Sequence, residues 1–301
     1  MENNSFDVII IGGSYSGLAA GMSLGRALKR VLIIDSGWPC NRQTPYSHNF
    51  LTRDGETPGS IALLGKEQVL RYDTVRFFNG EAVEGTRMSD GFEIKAASGE
   101  VFRGHRLVFA TGIRDMPPAI GGLAECWGIS VLHCPYCHGY EVRGEVTGVL
   151  GNGEAGFETA ILISNWTTYL TLFTNGPSTL SAENVQSLGR RGIAIVEKEV
   201  ARIGHTKGHL ERLAFKDGSG VTLSALYTRA PFEQHCKLPE ALGCELTEEG
   251  YIKTDALNET TVNGVYACGD NVSRMRTVAN AAAMGTVTGI MVSRKMIFEN
   301  I

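Results

Sequence analysis

The sequence predicts an α/β protein with two three-layer units in tandem, and three observations predict it. A continuous apolar run, Phe6 to Ile11, enters Gly12-Gly13-Ser14-Tyr15-Ser16-Gly17, a small-residue helix follows from Leu18 to Leu28, and a second apolar run, Val31 to Ile34, ends on Asp35. The same order returns at Val146 to Leu150, Gly151-Asn152-Gly153-Glu154-Ala155-Gly156, a helix through Ser164, and Leu170 to Phe173. Each copy is followed by short alternating runs of the kind that form antiparallel meanders. Apolar runs without alternation suit parallel strands buried on both faces. A glycine-rich strand-to-helix turn is the phosphate-facing part of a Rossmann-like unit.

Composition narrows the function classes. The chain has 301 residues, enough for two well-filled cores, and its apolar and charged fractions of 43% and 20% are those of an ordinary globular protein. A net charge of -4 without a long basic run argues against nucleic acid or a membrane surface. The seven cysteines are scattered and odd in number, unlike a secreted disulfide framework. The N-terminal residues show neither a cationic start nor a cleavage site, and no apolar stretch reaches membrane-spanning length. The expected setting is the cytoplasm.

In the first unit Gly12 permits the tight turn, Gly17 lets the helix approach the strand, and Asp35 stands where an acid accepts hydrogen bonds from a ribose. Ser14 replaces the middle glycine of the pattern. An ordinary βα turn is the plain alternative; the flanking strands, helix and terminal acid favour a bound nucleotide. Cys40 to Arg53 reads as an irregular loop carrying Arg42, His48 and Asn49. Ile61 to Asp73 has helical spacing and Thr74 to Phe78 reads as a strand. From Glu81 a meander leads to a buried strand, Leu107 to Ala110, which ends in Thr111-Gly112; Asp115-Met116-Pro117-Pro118 then breaks the pattern. In the second unit a helix is expected around Ala182 to Arg190, then a meander from Ile193 to Tyr227. Gly264 to Ala267 reads as a strand ending in Cys268-Gly269-Asp270, followed by a long helix from Thr277 to Met296. A carboxylate at that strand end can hold a sugar-alcohol hydroxyl, and the helix start would favour an anionic ring. The small residues Ala279, Ala281, Ala282, Ala283 and Gly285 permit either a flat ring or close helix packing.

The chemistry centres on His133-Cys134-Pro135-Tyr136-Cys137-His138-Gly139. Two thiols one helical turn apart can close a small disulfide ring. An imidazole next to them titrates near neutrality, so it can take a thiol proton and return it. The motif alone leaves other readings open. Cys-x-x-Cys-His is also the attachment pattern of c-type haem, which normally follows export. Cys134, Cys137, His133, His138 and Cys126 could cage zinc, and two buried thiols without a role are the third option.

Taken in order, Gly12 to Gly17, Asp35, Ala110-Thr111-Gly112, Cys134 to Cys137, Gly151 to Gly156 and Gly264 to Asp270 resemble the motif series of low-molecular-weight thioredoxin reductases. The resemblance spans nearly the whole chain. It implies an FAD-binding domain that is discontinuous, 1–115 and 247–301, and an NAD(P)-type domain, 116–246, carrying the redox disulfide. It implies a homodimer. It also implies that Gly12, Gly13, Ser14, Gly17, Asp35 and Ser36 hold FAD together with Thr111, Gly112, Gly269, Asp270, Thr277, Val278 and Ala279. Cys137 would face the flavin, Cys134 would exchange with substrate, and no metal is expected.

Two departures modify this. Thioredoxin reductases usually carry an aspartate after the second cysteine, where this chain has His138. They also carry an arginine-rich run after the second strand of the NADPH domain, where this chain has Phe173-Thr174-Asn175-Gly176-Pro177 and no arginine before Arg190. A 2′-phosphate needs a cation or forked donor and a free ribose needs an acid, so NAD(P)H use is doubtful. The Cys-Pro-Tyr-Cys-His-Gly form resembles the FAD-dependent dithiol oxidases of the gliotoxin and holomycin type. The expected function is therefore oxidation of a small-molecule or peptide dithiol through Cys134, Cys137 and FAD to oxygen, with Cys134, Cys137 and His138 catalytic. The alternatives are an NAD(P)H-dependent reductase acting on a thioredoxin-like protein, and a non-turnover redox sensor or zinc module.

Overall fold

Strand β1 (Ser5–Ile11) alternates between two cores, as an apolar run in a covered sheet must. Ile9 and Ile11 enter one with Leu32, Ile34, Leu107 and Phe109, while Val8 and Ile10 enter the other with Val31, Ile33 and Val108. Burying an isoleucine such as Ile9 or Ile10, each 0% exposed, contributes about 1.5–3 kcal/mol. The computed structural model describes residues 4–299 and divides the chain into two units. The first takes residues up to 42, 49–114 and from 232 onward; the second takes 43–48 and 115–231.

The first unit opens with β1, α1 (Tyr15–Arg26), β2 (Val31–Asp35), α2 (Pro58–Val69) and β3 (Val75–Asn79). Helix α1 starts three residues before the expected Leu18, because Ser14 in extended backbone caps it directly after the glycine turn. The meander is β4 (Ala82–Met88), β5 (Gly91–Ala96) and β6 (Val101–Phe109). Strand β6 has two roles. Its first half pairs antiparallel with β5 and its last residues pair parallel with a later strand, so one strand joins meander and parallel sheet. Strand β7 (Ile113–Asp115) then leads out.

The second unit contains α3 (Leu123–Cys126), β8 (Val131–Leu132), α4 (Pro135–His138), β9 (Thr147–Leu150), α5 (Gly153–Ile163), β10 (Leu170–Phe173) and α6 (Ala182–Arg190). Then come β11 (Ala194–Val196), β12 (Val200–Thr206), β13 (His209–Phe215), β14 (Gly220–Thr222) and β15 (Ala225–Thr228). Its five-stranded sheet runs β11-β10-β9-β15-β8 and is parallel at every pairing. The expected meander from Ile193 to Tyr227 is corrected here: only β12, β13 and β14 form it. Strand β15 is buried at all four residues, which suits a central parallel strand and not a meander edge.

The chain returns through β16 (Phe232–Gln234), which pairs with β7, then α7 (Leu238–Ala241), β17 (Val265–Ala267) and α8 (Val278–Phe298). The second crossing falls at 231/232, not at the expected 246/247. The reason is packing: Leu238, Cys244 and Leu242 bury against the first unit's Phe92 and Ile94 core. No helix among the described residues is long and apolar enough to cross a membrane.

Candidate active site

Cys134 and Cys137 form a disulfide with Cα atoms 5.3 Å apart. Local sequence explains the geometry. Cys134 is the extended N-cap of one-turn α4, and Pro135 takes the first helical position, where a missing N–H costs nothing. Gly139 closes the turn, its N–H donating to Pro135 O at 2.7 Å. A Cβ there would lie 2.5 Å from that oxygen and 2.8 Å from Trp166 Nε1, so only glycine fits. Tyr136 stands exposed, edge-on to Trp166 at 5.5 Å.

His138 ends α4 and is half-buried. Burial holds its imidazole below the ordinary histidine range; the Glu141 carboxylate opposes that shift and His48 reinforces it. The ring is therefore neutral at pH 7 and can accept a proton. The zinc alternative loses its ligands. Two of them are bonded to each other, and Cys126 is 0% exposed in the core with its thiol pushed up by burial. Among the described residues no group of three or more His, Cys, Asp or Glu could hold a metal ion.

The other expected site residues gather in the first unit at the ends of its parallel strands, where ligands of open α/β sheets bind. Gly12 has φ +105°, and a Cβ on it would lie 2.2 Å from Ala110 O; one on Gly17 would lie 1.8 Å from Gly12 O. Asp35 Oδ1 accepts the Gly13 N–H at 2.8 Å, and Ser36 follows it. Thr111 and Gly112 leave β6, and Gly269 and Asp270 follow the end of β17. Thr277 caps α8, its side chain accepting from Asn280 N, with Val278 and Ala279 in the first turn. Gly285 serves helix packing, since a Cβ there would meet Ser16 O at 2.0 Å.

Sequence reasoning missed three residues. Asn271 is fully buried, with Nδ2 donating to Phe109 O at 2.8 Å and Thr111 Oγ1 at 3.3 Å; its Oδ1 is buried with no hydrogen-bond partner. Arg276 lies 3.7 Å from Asp270. Glu141, four residues past Cys137, lies 3.5 Å from His48. The helical spacing from Cys137 was the signal available for Glu141; Asn271 and Arg276 had none beyond proximity to the Gly-Asp pair.

The second glycine turn is engaged differently. Asn152 Oδ1 accepts from Gly153 N at 2.8 Å, Thr179 N at 2.8 Å and Thr179 Oγ1 at 3.1 Å, and its Nδ2 donates to Pro177 O at 2.9 Å. At the next strand end, Thr174 Oγ1 donates to Gly176 O and Asn175 Oδ1 accepts from Val200 N. The strand-end side chains are occupied within the protein, Thr174 by its own loop and Asn175 by the start of β12. Arg190 and Arg191 lie exposed at the far end of α6.

Residues 6–285 match the pyridine nucleotide-disulphide oxidoreductase family. The chain belongs to that family. It is 34% identical over 310 residues to a thioredoxin reductase, tcpT, of Claviceps purpurea, covering 99% of this chain and 96% of the relative. A solved oxidoreductase from Agrobacterium tumefaciens is similar at 35% identity and TM-score 0.91, over 98% of this chain and 99% of that one. The solved structure of HlmI is similar at 33% identity and TM-score 0.92, over 100% of this chain and 95% of that one. The protein is thus a thioredoxin reductase-like flavin thiol–disulfide oxidoreductase, and FAD is its cofactor. The first unit fits that group on its own geometry. Ser14 makes no side-chain cap bond, leaving the first-turn N–H groups of α1 for an anion, and Gly37 and Gly112 face open space. Asn271, which donates to Thr111 through Nδ2, keeps a buried Oδ1 with no hydrogen-bond partner.

Proposed function

We propose that this protein oxidises dithiols of a small molecule or peptide to disulfides, with oxygen as final acceptor. The observation that carries the reading is His138, neutral and half-buried directly after the Cys134–Cys137 disulfide. A substrate thiol gives its proton to His138, and the thiolate attacks Cys134 Sγ. The Cys134–Cys137 bond breaks and Cys137 leaves as a thiolate. The second substrate thiol loses its proton to solvent and attacks the substrate sulfur of the mixed disulfide, closing the product disulfide and releasing Cys134. Two electrons then rest on the protein's thiol pair. FAD, when bound, supplies the two-electron chemistry that restores the disulfide and passes the electrons to oxygen.

On this reading Gly12, Gly13, Ser14, Gly17, Asp35 and Ser36 hold the adenosine half of FAD. Thr111, Gly112, Gly269, Asp270, Thr277, Val278 and Ala279 hold the flavin half, with Asn271 fixing Thr111. A homodimer in the cytoplasm belongs to the same proposal. The internally bonded Asn152, Thr174 and Asn175 support poor NAD(P)H use, since Thr174 to Pro177 carries neither a cation for a 2′-phosphate nor an acid for a ribose. A second reading, NAD(P)H-dependent reduction of thioredoxin or a similar protein, is favoured by the complete Gly151 to Gly156 turn and by relatives named thioredoxin reductase. Anaerobic stopped-flow mixing separates the two. Fast flavin bleaching by a small dithiol and none by millimolar NADPH or NADH supports the oxidase; bleaching by NADPH or NADH at the rate of turnover overturns it.

A further inference from the structure

The redox turn has charged neighbours that the mechanism above does not use. Residues 43–48 leave the first unit's sequence and pack with the second. Ser47 is buried there, and Thr44 approaches Gly128 so closely that a Cβ on Gly128 would lie 3.0 Å from Thr44 Oγ1. This anchoring delivers His48, whose Nε2 lies 3.5 Å from Glu141 Oε1; the two side chains are 20% and 39% exposed. On β15, Tyr227 has a buried hydroxyl with no hydrogen-bond partner. Its ionisation is pushed far up by burial and then by Glu141, so it stays an uncharged phenol.

Resting on the assignment of His138 as the proton acceptor, we propose that His48 and Glu141 are positioning residues that set its proton affinity: Glu141 stabilises the imidazolium that His138 becomes, and His48 competes for that carboxylate. The charge logic follows from the neighbours. When His138 takes the substrate's thiol proton, a positive charge appears in a half-buried site, which is unfavourable by itself. Glu141 is the negative group acting on it, and His48, 3.5 Å from the same carboxylate, is a like charge when it carries a proton. A carboxylate shared by two imidazoles favours one proton on the pair and disfavours two, so His48 limits how strongly His138 holds its proton. Part of this coupling is exposed and is screened by salt.

The test uses FAD-loaded, oxidised protein with isotopically labelled histidine, and follows the His138 ring by NMR from pH 4.5 to 8.5. The resonance is assigned by its loss in His138→Ala. Glu141→Gln is expected to move the His138 titration to lower pH, and His48→Gln to move it to higher pH. At pH 7, Glu141→Gln is expected to slow flavin bleaching by dithiothreitol by roughly 3- to 10-fold, since a weaker base takes the proton less well. A His138 titration that stays put in both variants, or moves the same way in both, overturns the proposal. The two substitutions are independent, and each carries the test should the other fail to fold. A wild-type bleaching rate in His138→Ala would instead overturn the assignment of His138, while the titration still decides the pairing.

Discussion

Gly17→Ala tests how the first unit's turn holds its cofactor. The added Cβ would lie 1.8 Å from Gly12 O, 2.9 Å from Gly12 C and 3.3 Å from Ala110 Cβ. Two of the three neighbours are backbone, and no side chain can swing away. Helix α1 must therefore move off the β1 turn until the contact reaches the 3.4 Å at which ordinary packing begins. Overpacking of this kind costs about 1–3 kcal/mol, and a backbone clash belongs at the upper end. Each 1.4 kcal/mol is about tenfold in binding, so FAD affinity should fall by up to about a hundredfold. Cofactor loss then removes the stabilisation that ligand binding adds, about 2.7 kcal/mol at a hundredfold excess over Kd. The assay is the flavin-to-protein absorbance ratio after gel filtration, with thermal melts taken with and without added FAD. Gly59→Ala in α2 is the control: a Cβ there meets nothing within 4 Å, and the change should gain about 0.8–1 kcal/mol of helix propensity. A Gly17→Ala protein that keeps stoichiometric FAD and melts with the wild type would refute the reasoning.

Cys137→Ser and Cys134→Ser should each abolish flavin bleaching by dithiols, and wild-type turnover in both would make the disulfide structural. His138→Ala should slow dithiol oxidation by roughly 10²–10⁴-fold, read as kcat/KM. Because burial lowers the His138 pKa, the basic form persists below the ordinary range, and the acid limb of the rate profile should lie below about pH 6.5 and vanish in His138→Ala. The same shift links to stability. The unfolded chain takes up this proton first as pH falls through about 6.5, so the contribution is complete above that pH and is lost toward the folded pKa, as melts across that range would reveal. Millimolar NADPH should leave the oxidised flavin yellow in the absence of oxygen; bleaching on the timescale of turnover would favour the reductase.

Local pattern carried much of the fold. The run Phe6 to Ile11 and the glycines after it specify a strand, turn and helix without tertiary help, and β10 and α6 lie where their spacing put them. Pattern failed where a residue's partner lies far along the chain. Nothing between 232 and 246 says that Leu238 and Cys244 bury against Phe92, and Ala225–Thr228 alternates too little to separate a meander edge from a central strand. The candidate site divides the same way. Cys134, Cys137 and His138 are contiguous and readable as chemistry. His48 comes to Glu141 across 92 intervening positions through a loop that has no periodicity to announce its docking.

The two glycine turns show how one local motif can serve two ends. Both let a helix start close behind a strand, and both have a small residue pressed on backbone: Gly17 against Gly12 O, and Gly156 against Gly151 O at 2.8 Å for an added Cβ. This close approach alone therefore does not distinguish them. The cap does. Ser14 leaves the α1 donors without a side-chain partner, whereas Asn152 caps α5 and ties the 177–179 loop across its start. Donors already bonded within the protein gain little from a pyrophosphate, because each new bond must replace one already made. Asn152→Gly should thus loosen the 177–179 loop, seen as faster amide exchange at Thr179, without creating NADPH reduction, since the missing cation at Thr174 to Gly176 remains missing. Rapid bleaching of that variant by NADPH would place the barrier in the loop alone and return the second turn to nucleotide binding.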